Sequence, residues 1–226
     1  MKREFTFFVL LALIAVSCNS KSERVYLTCP DNQHPHLIDL GLPSGTKWAC
    51  CNVDDDHSKQ SPTNFGSYYA WGETKGKDYY DWSTYIHCDG LNYTCHDLGS
   101  DIAGTQYDVA HVQWGGSWVM PSEEQLLELR DNCTIEWTKE NGVYGERFTG
   151  QNGGTIFIPA AGNWNPELNY VNNGGCYRSS TLGESFVHHP DNARCLIFGR
   201  NGEHWYDCSN RCYGRSVRPV ANSGDF

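Results

Sequence analysis

The sequence predicts an α+β fold, with two helices set among antiparallel β-hairpins and a meander and the whole stapled by disulfides. Three observations carry this expectation. Two helix signatures fall together between 107 and 133, Asn-Gly turns punctuate apolar and β-branched runs on their C-terminal side, and eleven cysteines stand in 226 residues. Eight Trp and thirteen Tyr within 39% apolar residues exclude a disordered chain. Acidic residues outnumber basic ones by 27 to 17, a net charge of −10, so no nucleic-acid partner is expected.

Residues 1–17 read as a signal peptide. Met1-Lys2-Arg3-Glu4 precedes an apolar run from Phe5 to Val16, well short of the ~20 residues that span a bilayer. Ala15-Val16-Ser17 ahead of Cys18 forms a lipobox pattern, in which cleavage precedes the cysteine and its sulfur is diacylated. Residues 18–35 then serve as a lipidated N-terminus and polar tether. The expected location is the bacterial envelope, in the outer membrane and surface-exposed, with membrane lipid as a partner through Cys18. Once Cys18 is acylated ten cysteines remain, an even number that an exported chain can pair. Cys50 and Cys51 are adjacent, and a bond between neighbours is strained, so they are expected to take different partners.

Residues 36–53 predict a hairpin turned at Pro43-Ser44-Gly45, and Phe65 to Trp71 an aromatic strand. Residues 75–106 are polar and rich in Asp, Gly, Tyr and Asn, a loop-rich insertion that a local Cys88–Cys95 bridge would restrain. Tyr107 to Trp114 predicts a short helix ended by Gly115-Gly116. A second helix starts at Ser122, with Gln125 completing a capping box, Glu123 and Glu124 in the first turn, and Leu126, Leu129 and Cys133 on one face. Thr134 to Thr138, Val143 to Thr149 and Thr155 to Ile158, joined at Asn141-Gly142 and Asn152-Gly153, make a meander. Cys195 to Phe198 and His204 to Cys208 flank Asn201-Gly202 as a hairpin, and Tyr213 to Val220 is a closing strand.

Several ordered motifs carry a family resemblance. Leu40-Gly41-Leu42-Pro43-Ser44-Gly45-Thr46-Lys47-Trp48-Ala49, Tyr69-Ala70-Trp71-Gly72-Glu73, Trp114-Gly115-Gly116-Ser117-Trp118, Met120-Pro121-Ser122, Ile158-Pro159-Ala160-Ala161-Gly162 and Tyr213-Gly214-Arg215-Ser216-Val217-Arg218-Pro219 are among them. Over residues 36–221 the chain resembles the Fibrobacter succinogenes major paralogous domain, with 222–226 left as a tail. The resemblance implies a C-type-lectin-like fold, an exported lipoprotein, and a Cys51–Cys133 disulfide. The chain departs from the family at Val119, commonly Arg, and at Arg178-Ser179-Ser180, commonly Trp-Ser-Ser.

Catalytic and metal signatures are weak in the sequence. The Glu-Pro-Asn or Gln-Pro-Asp turn of calcium-dependent lectins is absent, His189-Pro190-Asp191 being the nearest, and Gly-x-Ser-x-Gly does not occur. Asp54-Asp55-Asp56 reads as a solvated acidic loop. Cys88, Cys95-His96, His188-His189 and Cys208 with Cys212 are zinc-type residues, for which disulfides are the stronger expectation in an exported chain, and His34-x-His36 reads as polar surface. No cofactor, metal ligand or catalytic residue is assigned. The expected ligand surface is the aromatic and amide-rich stretch 162–177, represented by Asn163, Trp164, Asn165, Tyr170 and Tyr177, with Trp205 joining it. The sequence thus points to a non-catalytic binding module for a glycan or extracellular protein. The alternatives are an extracytoplasmic enzyme using carboxylates such as Glu73, Glu123, Glu167 and Glu203 on polysaccharide or protein, and a structural component of a surface assembly.

Overall fold

A computed structural model describes residues 24–89, 94–183, 191–202 and 204–221, with backbone only for 204–208. Residues 1–17, Cys18, His188-His189, Glu203 and 222–226 lie outside the described residues, as do the side chains of Trp205 and Cys208. The chain opens with β1 (Val25–Tyr26), β2 (Leu37–Asp39) and β3 (Lys47–Ala49), followed by the small pair β4 (Cys88–Asp89) and β5 (Thr94–Cys95). Helices α1 (Val109–Trp114) and α2 (Glu123–Asn132) come next. Then follow β6 (Thr134–Glu140), β7 (Val143–Thr149), β8 (Thr155–Pro159), β9 (Asn163–Trp164) and β10 (Leu168–Asn169). The chain closes through β11 (Gly174–Leu182), β12 (Asn192–Gly199), β13 (His204–Asn210) and β14 (Val220–Ala221). Mostly β with two helices among the described residues, this is an α+β fold.

The helices start where the sequence says they should. Asp108 is fully buried and its Oδ1 accepts from the N–H groups of Ala110 at 2.8 Å and His111 at 3.1 Å, capping α1. Its Oδ2 accepts from Gly104 and Met120, both at 2.9 Å, so one carboxylate pins two loops to the helix start. Gly115, at φ +67°, ends α1 because a side chain there would be strained. On α2 the capping box is complete: Ser122 Oγ accepts from Gln125 N, and Ser122 N donates to Gln125 Oε1. Leu126 and Leu129 are buried as expected, whereas Cys133 sits past the helix in extended backbone, where β6 begins. The apolar periodicity runs one position further than the helical hydrogen bonds do.

Among the described residues, the three larger sheets enclose the core. In the first, β1 runs parallel to β2, β2 pairs with β3, and β14 pairs with β3 through Val220 and Trp48, which brings both ends of the domain together. The meander β6–β7–β8 turns at Asn141-Gly142, with φ of 46° and 87°. The third sheet is β11–β12–β13. Ile38, Leu40, Trp48, Leu126, Leu129, Phe148, Ile158, Tyr177 and Phe198 fill the main core. Burying such side chains contributes roughly 1.5–3 kcal/mol each relative to leaving them in water.

Two sequence expectations are corrected. Phe65 to Trp71 is not a strand. It touches its neighbour through one bridge, Tyr69 to Arg215, because Gly66 at φ +70° bends it so that Ser67 N reaches Val53 O. The closing strand is reduced to Val220–Ala221, since the segment before it is spent on separate bridges and Pro219 has no N–H to give a ladder. Segment 75–106 is held by the Cys88–Cys95 disulfide, by Tyr85 O–H donating to Trp71 O at 2.7 Å, and by Arg211, whose guanidinium donates to Tyr85 Oη at 2.9 Å and to His96 O at 3.2 Å.

Buried arginines tie the layers together through backbone carbonyls. Arg178 donates to Ala193 O, Ser209 O, Asn210 O and Tyr213 O. Arg218 donates to Asn52 Oδ1, Ala49 O and Phe157 O, linking β3 to β8.

Candidate functional site

A cleft of about 480 Å³ opens between the loop joining β10 to β11 and the turn after β12. The loop is shaped by its backbone. Tyr170 and Asn172 both take φ +60°, and Tyr170 O accepts from the N–H groups of Asn173 and Gly174. Asn172 N donates to Ala160 O and Arg200 N to Asn173 O, so both rims are tied down. Glycines form the floor for a steric reason. A Cβ on Gly162, at φ +69°, would lie 2.1 Å from Asn169 O, and one on Gly175 would lie 2.5 Å from the Phe198 ring.

Asn163, Tyr170, Asn173, Arg200 and Asn201 present the polar and aromatic groups, while Ile197 and Phe198 supply apolar wall. Tyr170 is 69% exposed, an open ring face at the mouth. Among the described residues of the lining, Arg200 alone carries a formal charge. The amides offer paired donors and acceptors, the guanidinium offers donors, and the ring offers a stacking surface. This set suits a hydroxyl-rich ring with one apolar face.

Of the residues singled out in the sequence, the structure brings Asn163 and Tyr170 together here. Trp164 points elsewhere, packed between Tyr68 and Tyr80 with ring centroids 5.8 Å from each. Asn165 lies off the lining, its N–H donating to Glu167 O within the β9–β10 turn. Tyr177 is a correction: 1% exposed, it stacks on Phe198, donates to Pro159 O at 2.7 Å and accepts from Asn52 Nδ2 at 3.0 Å. Burial pushes its hydroxyl above the usual tyrosine range. The stretch 162–177 is expected to be ligand surface, but its residues from Gly174 on belong to β11, which is buried continuously from Gly174 to Ser180. Arg200 and Asn201 were missed, although the Asn201-Gly202 turn had placed them at a hairpin tip.

The remaining candidates serve local structure. Glu73 pairs with Lys77 at 2.7 Å and Glu123 with Arg194 at 3.3 Å, while Glu167 is exposed in a turn. Asp55 accepts from Tyr69 O–H, Gln113 and Gly76 N, and Asp56 caps a 3-10 turn and pairs with Lys59. Cys51, Cys133, Cys176 and Cys212 stand as thiols, so Cys51 and Cys133, both packed against the main core, carry no bond between them. His34 and His36 are not polar surface, for they close on Cys29 and Cys50 with all four ligand atoms within 4.8 Å of one another. Comparison of the chain with family models, characterised proteins and solved structures returned no match.

Proposed function

We propose that this chain is a lipid-anchored envelope module of the Fibrobacter succinogenes major paralogous type, with a C-type-lectin-like body that binds a glycan in the cleft between the β10–β11 loop and the turn after β12. The carrying observation is the open ring of Tyr170 set beside Asn163, Asn173, Arg200 and Asn201 over a floor of glycines. Stacking orients a sugar face, and amides reproduce the water contacts that its hydroxyls lose. The apolar run 5–16 ahead of Cys18 supports the anchor, and the ordered motifs of 36–221 support the family. Among the described residues no carboxylate lines the cleft, so sugar binding there is expected to be independent of calcium and to proceed without the paired acids of glycoside hydrolysis.

The test is a glycan array followed by calorimetry on the selected oligosaccharide, with and without EDTA. Tyr170→Ala should weaken binding at least about tenfold, equivalent to ~1.4 kcal/mol, and Tyr144→Ala, outside the lining, should not. A blank array, binding abolished by EDTA, or equal effects of the two variants would refute the reading.

A further inference from the structure

We propose that Cys29, His34, His36 and Cys50 form a structural zinc site that fastens the N-terminal segment to the body. Independent of the cleft, this rests on four side chains that converge from two parts of the chain. Cys29, His34 and His36 come from the segment between β1 and β2, and Cys50 follows β3 directly. The approach is rigid because Leu37 pairs with Ala49 across β2 and β3, and Cys50 N donates to His36 O at 3.0 Å one step beyond.

The distances are those of a coordination shell. Cys29 Sγ lies 3.5 Å from His34 Nδ1 and 3.6 Å from His36 Nδ1. Cys50 Sγ lies 3.3 Å from His34 Nδ1 and 3.6 Å from His36 Nδ1. Bond lengths of ~2.3 Å for Zn–S and ~2.0–2.1 Å for Zn–N at tetrahedral angles separate sulfur from nitrogen by about 3.6 Å. The four sulfur–nitrogen edges therefore match a tetrahedron whose centre is one zinc ion. Two thiolates and two imidazoles are the ligand set of closed structural zinc sites, and four protein ligands leave no open position for catalysis.

The surroundings fit as well. With His36 Nδ1 directed to the centre, its Nε2–H faces Asp31 Oδ1 at 3.2 Å, the carboxylate–histidine arrangement that orients a metal ligand. The backbone N–H of His36 donates to Cys50 Sγ at 3.1 Å, which stabilises a thiolate. His36 and Cys50 are buried and Cys29 and His34 half-buried, so the centre is shielded on one side. On the other, a cleft of about 470 Å³ lined by Cys29, Asp31, His34 and Cys50 provides an entry path.

The experiment uses the full chain, exported and purified in detergent without chelator. Metal content is read by plasma mass spectrometry, thiols by non-reducing peptide mapping, and the reduced apoprotein is titrated with Co²⁺ while its visible spectrum is followed. The expected result is one zinc per chain, unbridged Cys29 and Cys50, and the strong visible bands of tetrahedral thiolate-bound cobalt. Cys29→Ser and His34→Ala should each abolish those bands, Asp31→Asn should weaken metal affinity about tenfold, and Cys133→Ser, outside the cluster, should leave stoichiometry unchanged. Far-UV circular dichroism of the variants confirms that they fold, and His34→Ala, at a half-buried position, stands in if Cys29→Ser does not. A Cys29–Cys50 disulfide in the exported protein, a reduced chain that binds neither metal, or cobalt bands that survive both ligand variants would overturn the proposal.

Discussion

Replacing Asp108 with alanine should remove a large share of the stability of this protein, and the size of the loss follows from its four hydrogen bonds. The carboxylate is fully buried and accepts from Ala110 and His111 on α1 and from Gly104 and Met120 outside it. Losing the helix cap costs ~1 kcal/mol. The buried N–H of Met120 would then have no acceptor, at ~1–3 kcal/mol, and the N–H of Gly104, on an exposed residue, would lose a hydrogen bond worth ~1 kcal/mol. The expected loss is about 3–5 kcal/mol, against the ~5–15 kcal/mol that holds an ordinary domain together. Asp108→Asn keeps one acceptor oxygen but turns an N–H₂ toward the other pair of donors, so it should cost about half as much. Urea unfolding followed by circular dichroism and tryptophan fluorescence gives both numbers, with the slope m unchanged if only the native state is affected. A loss under about 1.5 kcal/mol for the alanine variant, or equal losses for the two variants, would refute the view that one carboxylate serves two loops and a helix.

Other outcomes follow from the same contacts. Tyr177→Phe should destabilise by about 1–2 kcal/mol in urea melts, because Pro159 O and Asn52 Nδ2 lose their partner in the core. Gly150→Ala should cost about 3 kcal/mol or prevent folding, since its Cβ would lie 1.8 Å from the carbonyl oxygen of Leu40 and neither backbone can yield. Cys88→Ser, with a sequence separation of 7 between the bridged residues, should lower stability by about 2 kcal/mol on loop-closure grounds and speed proteolysis within 75–106. Arg200→Ala should reduce glycan affinity in calorimetry while shifting unfolding by less than about 0.5 kcal/mol, because the side chain is exposed.

Much of the fold was legible because its signals are local. Ser122 with Gln125, Gly115 at the end of α1 and Asn141-Gly142 between β6 and β7 act within a few residues, and each sits in the structure where its chemistry assigns it. Cys88 and Cys95 pair across a short loop for the same reason. The misreadings at the core and the cleft concern partners far apart in sequence. Tyr177 faces the core because β11 lies beside β12, which no pattern within 162–177 encodes. The buried Arg178 finds its acceptors more than a dozen residues away, at Ala193, Ser209, Asn210 and Tyr213. Asn163 and Tyr170 became half of a cleft only when the Arg200 turn closed over Asn173.

The sequence by itself determined the helices, the turns, the α+β class and the local disulfide, because those depend on backbone preferences and hydrogen bonds between near neighbours. Tertiary structure alone decided which aromatic residues are core, which loops meet, and that Cys50 reaches Cys29, His34 and His36. A shell of ligands or a binding cleft is a coincidence of positions in space, and strand pairing across long separations, not the order of residues, creates it.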